Sequence, residues 1–168
     1  MVAEAGCAQD AATDYRITKV RFFPRTGHAA EMKGGRFSGS LTSATNDFQD
    51  IVEIKDAPAE GQWTELMVPA ERAGAYRFVK YMARNDVWAD IAEIEFFAGN
   101  RKLSGTPFGT TGSNEATNDP KRAFDGDTNT YFRGTSGFNQ YVGLDLGPDS
   151  QVAAPVVASS LRVWHWLN

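Results

Sequence analysis

Residues 122–132 (RAFDGDTNTYF) concentrate the side chains that bind hard cations. Asp125, Asp127 and Asn129 occupy alternate positions, with Gly126 between the two acids. Carboxylate, amide, hydroxyl and carbonyl oxygens are the ligands that Ca²⁺ takes, and a glycine allows successive carbonyls to turn inward. A polar Asp-Gly turn between two strands has the same composition. The stretch alone is therefore consistent with a calcium loop and with a plain turn.

Two other chemistries fit these residues less well. The spacing matches the first three ligand positions of an EF-hand, but Thr130 stands where that loop needs glycine and Ser136 where it needs glutamate. A hydrolytic role for Asp125 and Asp127 lacks a neighbouring nucleophile. We therefore expect no enzymatic activity from this stretch, and no other part of the chain carries a nucleophile–base pattern or a cofactor loop.

The composition limits the class of protein. A length of 168 residues suits one domain with a real core, and 12% aromatic residues with 16 glycines favour an all-β domain. A net charge of −4 argues against binding to nucleic acid or anionic membranes. The single Cys7 excludes an internal disulfide and a cysteine-based zinc cluster, and two histidines exclude a multi-histidine site. No apolar run reaches the roughly 18 residues of a membrane span.

Alternation of apolar and polar residues predicts several short strands. The pattern is clearest at residues 15–23 (YRITKVRFF), 76–82 (YRFVKYM) and 91–97 (IAEIEFF). Shorter predicted strands are residues 36–40, 48–54, 63–68, 140–146 and 160–166. Short strands separated by turn signals predict an antiparallel β-sandwich of the jelly-roll type, without a helix longer than a turn or two.

Two segments together resemble a discoidin domain. Residues 122–147 (RAFDGDTNTYFRGTSGFNQYVGLDLG) are similar to the first half of that domain, and residues 15–98 to its second half. The second resemblance depends on matching pieces at residues 23–25, 35–40, 62–64, 76–81 and 91–96. The family includes the coagulation factor V/VIII C-type domains and the family 32 carbohydrate-binding modules. It implies a galactose-binding-like jelly roll.

The two halves occur in reversed order. Residues 15–98 resemble the second half and residues 114–147 the first, so residues 99–113 become the linker and residues 1–14 a loose lead-in. A circular permutation explains this order, because the termini of compact domains often lie close together. A slice of a tandem array explains it equally. We expect one sandwich domain over residues 15–168.

The resemblance implies a structural Ca²⁺ that joins the two halves. Its ligands are oxygens from two segments: the backbone carbonyls of Ala92, Arg122 and Asp127, the carboxylates of Glu93 and Asp125, and the hydroxyl and carbonyl of Thr130. Two formal negative charges and about seven oxygens lie within the range that Ca²⁺ prefers.

Relatives of this kind bind sugars through loops at one end of the sandwich, so an exposed aromatic ring is expected there. Trp88, in the polar loop 84–90, is the best candidate, and Phe138 is another. We expect Trp63 to lie in the core. Phe132 takes the place of a buried tryptophan in relatives, which implies a packing role.

Arg25, His28, Glu31 and Arg133 are the polar candidates for sugar contact. Arg25 follows Pro24, where relatives place a sugar-contacting arginine, whose planar fork suits vicinal hydroxyls. Arg133 stands where many relatives carry a histidine, a departure from galactose-type specificity. Glu31 offers an acceptor for hydroxyls or for an amine. The alternative for each is a solvated side chain or a local ion pair, such as Arg25 with Glu31. His165 is expected to pack between tryptophans.

Two functions follow as expectations. The first is a non-catalytic carbohydrate-binding module with a structural calcium ion, which binds an oligo- or polysaccharide and neighbours other modules of a secreted protein. The second is a structural or adhesive domain that contacts protein or cell-surface partners. Both place the protein outside the cell or on its surface, although residues 1–7 lack the pattern of a signal peptide. An exposed Trp88 beside Arg25 and Arg133 favours the first.

Overall fold

The structure, a computed structural model, describes residues 15–114 and 116–151. The strands within these ranges are β1 (Lys19–Pro24), β2 (Arg36–Ser40), β3 (Gln49–Glu53), β4 (Thr64–Met67), β5 (Phe78–Met82), β6 (Ile91–Ala98), β7 (Arg101–Lys102), β8 (Thr106–Gly109) and β9 (Tyr141–Asp145). Short 3-10 helices span Ala29–Met32, Ala70–Arg72, Pro120–Ala123 and Pro148–Gln151. None of the described helices is long and apolar enough to cross a membrane.

The strands form two antiparallel sheets, which confirms the predicted all-β sandwich. One sheet has the order β4-β1-β6-β7, and the other has the order β3-β2-β5-β9-β8. Strand β9, from the later segment of the chain, pairs with β5 over Phe78–Asp145 to Met82–Tyr141. Residues 15–98 and residues 114–147 therefore contribute strands to a single sheet.

Alternation along the strands builds the core between the sheets. In β1, Val20 and Phe22 point inward and are fully buried, whereas Lys19 and Arg21 face outward. Phe37 of the opposite sheet contacts the Phe22 ring at 5.4 Å and the Phe96 ring at 6.0 Å between centroids. Each such fully buried aromatic stabilises the fold by about 1.5–3 kcal/mol, so these positions fix the registration of the two sheets.

The strands of the structure differ from the sequence prediction in two places. Strands β7 and β8 lie within residues 99–113, where no strand was predicted, and β8 pairs with β9 from Thr106–Asp145 to Gly109–Val142. Pro24 is the last residue of β1 and lies at a register shift against β6. The permuted order and its linker stay predictions. Residues 1–14 and the predicted strand 160–166, with His165, lie outside the described residues.

The two aromatic residues assigned to packing have different environments. Phe132 is fully buried, as predicted. The prediction for Trp63 was wrong: its ring is half-buried just before β4 on the outer side of the sheet, where it meets Phe23 edge-on at 5.6 Å and the Arg21 guanidinium at 4.1 Å. Trp63 is two residues from Glu65 and so shares the side of the exposed Glu65 and Met67, which means that strand alternation itself places it on the outer face.

Four described strands form the sheet edges, namely β4, β7, β3 and β8. Strand β7 has only two residues, and β8 contains Pro107. Strand β3 is offset from β2 by a register shift at Phe37 and Ser38.

Candidate functional site

Loops from three parts of the chain meet at one end of the sandwich. The loop after β1 supplies Arg25, His28 and Glu31, and the loop before β6 supplies Trp88 and Asp90. Reciprocal backbone bonds between Ile91 and Phe132, at 3.1 and 2.8 Å, bring Arg133 beside them. We call the side chains of Arg25, His28, Glu31, Trp88, Asp90 and Arg133 the ligand mouth.

Asp90 is the centre of the ligand mouth. Its side chain is 1% exposed, and its Oδ1 accepts a hydrogen bond of 2.6 Å from Arg25 Nη1. Arg133 Nη1 lies 3.9 Å from the same oxygen, and His28 Nδ1 lies 3.5 Å from Oδ2. A buried carboxylate with a charge-assisted partner is held in one position. Asp90 therefore holds Arg25 in place and lies within ion-pair distance of Arg133 and His28.

Two aromatic rings flank the arginines. Trp88 is 40% exposed, and the Arg133 guanidinium lies 4.8 Å from its ring centroid. The Arg25 guanidinium lies 3.8 Å from the ring centroid of Tyr131. These are cation–π distances, at which a guanidinium keeps its orientation while part of its donor fork stays free for other partners.

The loop that carries Trp88 and Asp90 has an unusual backbone. Asp86 and Ala89 both have positive φ angles, 74° and 58°. For residues with a side chain this region costs about 1–2 kcal/mol and persists where the surrounding structure holds it. Here Asp86 N–H donates to the Gly137 carbonyl at 2.6 Å, and Gly134 N–H donates to the Trp88 carbonyl at 2.7 Å. The strain turns Trp88 outward and Asp90 inward within two residues.

Residues 122–130, which we call the acidic loop, form a compact turn beside the ligand mouth. Asp125 Oδ1 accepts from the Asp127 N–H at 3.0 Å, and the Thr130 hydroxyl lies 2.9 and 2.8 Å from the two Asp125 oxygens. The same hydroxyl lies 3.1 Å from the Asp127 carbonyl. Gly126 has φ +81°, the left-handed conformation expected of it. Oxygens from three of the predicted calcium ligands thus lie together.

Glu93 of β6 reaches the acidic loop from the other segment of the chain. It is 1% exposed, and its Oε1 accepts from the Gly126 N–H at 2.8 Å. Burial, together with the neighbouring Asp125 carboxyl, raises the pKa of Glu93 from 4.5 to about 7. Below about pH 7 the proton of this pair therefore belongs to Glu93, which donates it in a hydrogen bond to the ionised Asp125.

The donor set fits a calcium ion. Burial alone would raise the pKa of Asp125, but hydrogen bonds from the Asp127 N–H, the Thr130 hydroxyl, Glu93 and Arg122 lower it below its ordinary value. Asp125 thus holds a charge, and Glu93 gains one once a cation replaces the proton. The Arg122 guanidinium forms an ion pair with Asp125 Oδ2 at 3.3 Å. Ala92 and Thr130 line a depression of about 280 Å³ beside the loop.

Comparison with known proteins gives one resemblance. No protein-family model matches the chain, and no curated protein matches it. A solved structure, CBM62 from Clostridium thermocellum Xyl5A, is similar at 30% sequence identity and a TM-score of 0.45. The similarity covers 49% of this chain and 60% of that one.

The structure places all five ligand-contact candidates close together, and the ion pair considered as an alternative for Arg25 forms with a different residue. Arg25 pairs with Asp90 and not with Glu31, whose Oε1 lies 3.0 Å from His28 Nδ1. Sequence reasoning missed Asp90 and Tyr131 as members of the site. The position of Asp90, directly before a strongly apolar strand, was the available signal, since a carboxylate at such a point is easily buried.

A larger groove of about 830 Å³ lies between β3, β4 and the segments that follow them. Its lining mixes charged residues such as Lys55, Asp56 and Glu71 with aliphatic side chains. The lining contains no aromatic ring, and none of its residues belongs to the ligand mouth. The ligand mouth, with its exposed indole and fixed arginines, is the better candidate site.

Proposed function

We propose that this chain is a non-catalytic carbohydrate-binding module that binds a glycan at the ligand mouth. One observation carries the proposal: the exposed Trp88 ring lies beside Arg133, and Arg133 and Arg25 both lie at the buried Asp90. Binding sites of this kind combine an apolar surface with a few fixed polar groups that set the orientation of the ligand.

The chemistry of a sugar matches this arrangement. One face of a pyranose presents C–H groups and packs against an indole, which offers a large flat area at small entropic cost. The rim of the ring presents hydroxyls, and a guanidinium fork donates to two neighbouring oxygens at once. Because Asp90 holds Arg25 in place, little additional ordering is needed when the ligand arrives.

A binding role also fits the state of the carboxylates in the ligand mouth. Asp90 Oδ1 is tied to Arg25 at 2.6 Å, so it is a positioning group and not a free base. Glu31 is the partly exposed carboxylate, and it offers an acceptor to a ligand hydroxyl or amine. The partner we propose is therefore an oligo- or polysaccharide outside the cell.

The acidic loop has a structural part in this proposal. A Ca²⁺ held by Glu93, Asp125, Thr130 and the neighbouring carbonyls links strand β6 to the loop that ends at Phe132. Ile91 and Phe132 form a backbone bridge between these two segments. Asp90 directly precedes Ile91, and Arg133 directly follows Phe132. Calcium would thus keep the two sides of the ligand mouth together without touching the sugar.

The test is a glycan array followed by calorimetry with the best glycan, on the wild-type chain and on Trp88→Ala. We expect Trp88→Ala to lower affinity by about tenfold or more, the equivalent of about 1.4 kcal/mol of stacking. Phe138→Ala is the matched control, because Phe138, the other aromatic candidate, is 59% exposed but is not one of the side chains of the ligand mouth. Its affinity should stay within twofold of wild type.

Equal affinity of Trp88→Ala and wild type for the same glycan would refute the site. No binding to any glycan on the array, in millimolar calcium, would refute the function. A chain that binds no glycan would instead favour the adhesive-domain hypothesis, which is tested with protein and cell-surface ligands.

A further inference from the structure

Two buried side-chain atoms of the ligand mouth have no hydrogen-bond partner. They are His28 Nδ1 and Asp90 Oδ2, which lie 3.5 Å apart. Among the buried side-chain nitrogen and oxygen atoms of the described residues, the only other such atom is Arg122 Nε. Buried polar atoms are nearly always satisfied in folded proteins, so two that face each other indicate a missing partner between them.

A third donor atom completes the group. Glu31 Oε1 lies 3.0 Å from His28 Nδ1, without the geometry of a hydrogen bond. The imidazole nitrogen and the two carboxylate oxygens all lie within 4.8 Å of one another. Ligand atoms about 2.0–2.2 Å from one ion are separated by about 3.3–3.6 Å in a tetrahedral site. The two separations from His28 Nδ1, 3.0 and 3.5 Å, are close to that spacing, and a small movement of the partly exposed Glu31 side chain would complete the geometry.

We propose that His28, Glu31 and Asp90 form a binding site for Zn²⁺ or a similar first-row divalent metal ion. One imidazole nitrogen and two carboxylate oxygens suit Zn²⁺, with a fourth position left for water or an external ligand. Ca²⁺ and Mg²⁺ take oxygen ligands, so the histidine selects against both. The site is therefore chemically distinct from the oxygen-only acidic loop.

The surroundings of Asp90 orient it toward such an ion. Arg25 donates to Oδ1 at 2.6 Å, which leaves Oδ2 pointing toward His28 and Glu31. An outer partner that fixes a ligating carboxylate in this way is a regular feature of metal sites. Arg25 and Arg133 also add positive charge nearby, which weakens the affinity. The site consequently depends on the bond from the imidazole nitrogen, and the loss of His28 should be the most damaging change.

This inference goes beyond the proposed function and does not depend on it. The three ligands can hold zinc whether or not a glycan binds at Trp88. When zinc is bound, His28 and Glu31 face the ion, and the sugar contacts of the ligand mouth come from Trp88, Arg25 and Arg133.

The test is calorimetric titration of the 168-residue chain with zinc chloride. Millimolar Ca²⁺ keeps the acidic loop occupied, and a Cys7→Ser background removes the thiol as a competing ligand. We expect one equivalent of Zn²⁺ to bind, and His28→Gln to weaken binding by more than about tenfold, since loss of an outer partner alone costs 10–100-fold. His165→Gln, which removes the chain's other histidine, is the matched control and should bind zinc like the parent.

Two further measurements keep the result unambiguous. Glu31→Gln changes a partly exposed side chain and should weaken zinc binding without loss of the fold, which Asp90 variants would risk. Cobalt(II) in place of zinc should give the visible absorption of a tetrahedral site, absent in His28→Gln. The proposal is overturned if zinc does not bind, or if it binds equally to His28→Gln and to the parent. Glycan binding, measured on zinc-free protein, reports separately on the proposed function.

Discussion

Replacement of Glu93 by glutamine should stabilise the protein without calcium and destabilise it relative to wild type with calcium. Glu93 is 1% exposed, accepts from the Gly126 N–H at 2.8 Å and lies against the Asp125 carboxyl. Glutamine keeps the acceptor for Gly126 and adds an N–H donor for Asp125. It removes the charge that a cation would need.

The size of the effect follows from the pKa of Glu93, which rises from 4.5 to about 7 in the folded, metal-free protein. A raised folded-state pKa means that this group favours folding below pH 4.5, and that the contribution is lost as the pH rises to about 7. Each tenfold change in proton affinity is worth about 1.4 kcal/mol, so the ionised group costs roughly 3 kcal/mol at pH 8. Glu93→Gln should recover up to that amount, a rise in melting temperature of roughly 6–12 °C.

Calcium should reverse the order of the two proteins. An ion present at about 100 times its Kd stabilises wild type by about 2.7 kcal/mol, and it should stabilise Glu93→Gln much less. The assay is urea denaturation of both proteins at pH 5 and pH 8, each in EDTA and in millimolar calcium. Glu95→Gln is the matched control, because Glu95 lies on the same strand but pairs with Lys102 at 2.9 Å. Its small effect should not depend on calcium.

Two results would refute this reasoning. If Glu93→Gln is less stable than wild type at pH 8 in EDTA, the buried carboxyl is not the source of a penalty. If calcium stabilises both proteins equally, Glu93 is not a ligand.

Two other substitutions test the ligand mouth and the acidic loop. Arg25→Met should cost about 3–5 kcal/mol in urea denaturation, because it leaves the buried Asp90 carboxylate without its partner. Arg133 Nη1 lies 3.9 Å from the same Asp90 oxygen, so Arg133→Met should lower the free energy of unfolding by under about 1 kcal/mol. Equal losses in the two variants would contradict the role of Arg25 as the main partner of Asp90. Gly126→Ala, at φ +81°, should lose about 1–2 kcal/mol in EDTA and most of the calcium-induced rise in melting temperature. Gly27→Ala, at φ +80°, is the control: it should lose the same stability in EDTA but keep the normal calcium-induced rise in melting temperature. If Gly126→Ala also keeps the normal rise, Gly126 is not part of the calcium site.

Much of the fold could be predicted because burial follows a period of two along these strands. Val20 and Phe22 alternate with Lys19 and Arg21, and the structure buries the apolar pair. Strand β8 escaped prediction because Thr106–Gly109 contains a proline and a glycine, both depleted in strands. An edge strand tolerates proline, and β8 lies at an edge, a property that the local sequence does not reveal.

The candidate site was predictable as a set of residues but not as a set of contacts. The expected resemblance to discoidin domains led to the prediction of Arg25, Trp88 and Arg133, which come from three separate loops. Their common partner, Asp90, depends on how those loops fold over β6, and no spacing rule connects residues 65 positions apart such as Arg25 and Asp90. The positive φ of Ala89, which turns Asp90 inward, is equally invisible, since alanine rarely adopts it.

The character of the edge strands has a consequence for self-association. Exposed edges invite strand exchange and aggregation, and natural sheets block them with short strands, charges, proline and bulges. Here β7 has two residues, both basic, β8 carries Pro107, and β3 is offset from β2. We therefore expect these three of the four described edges to resist strand exchange with a second copy of the chain, even at high concentration.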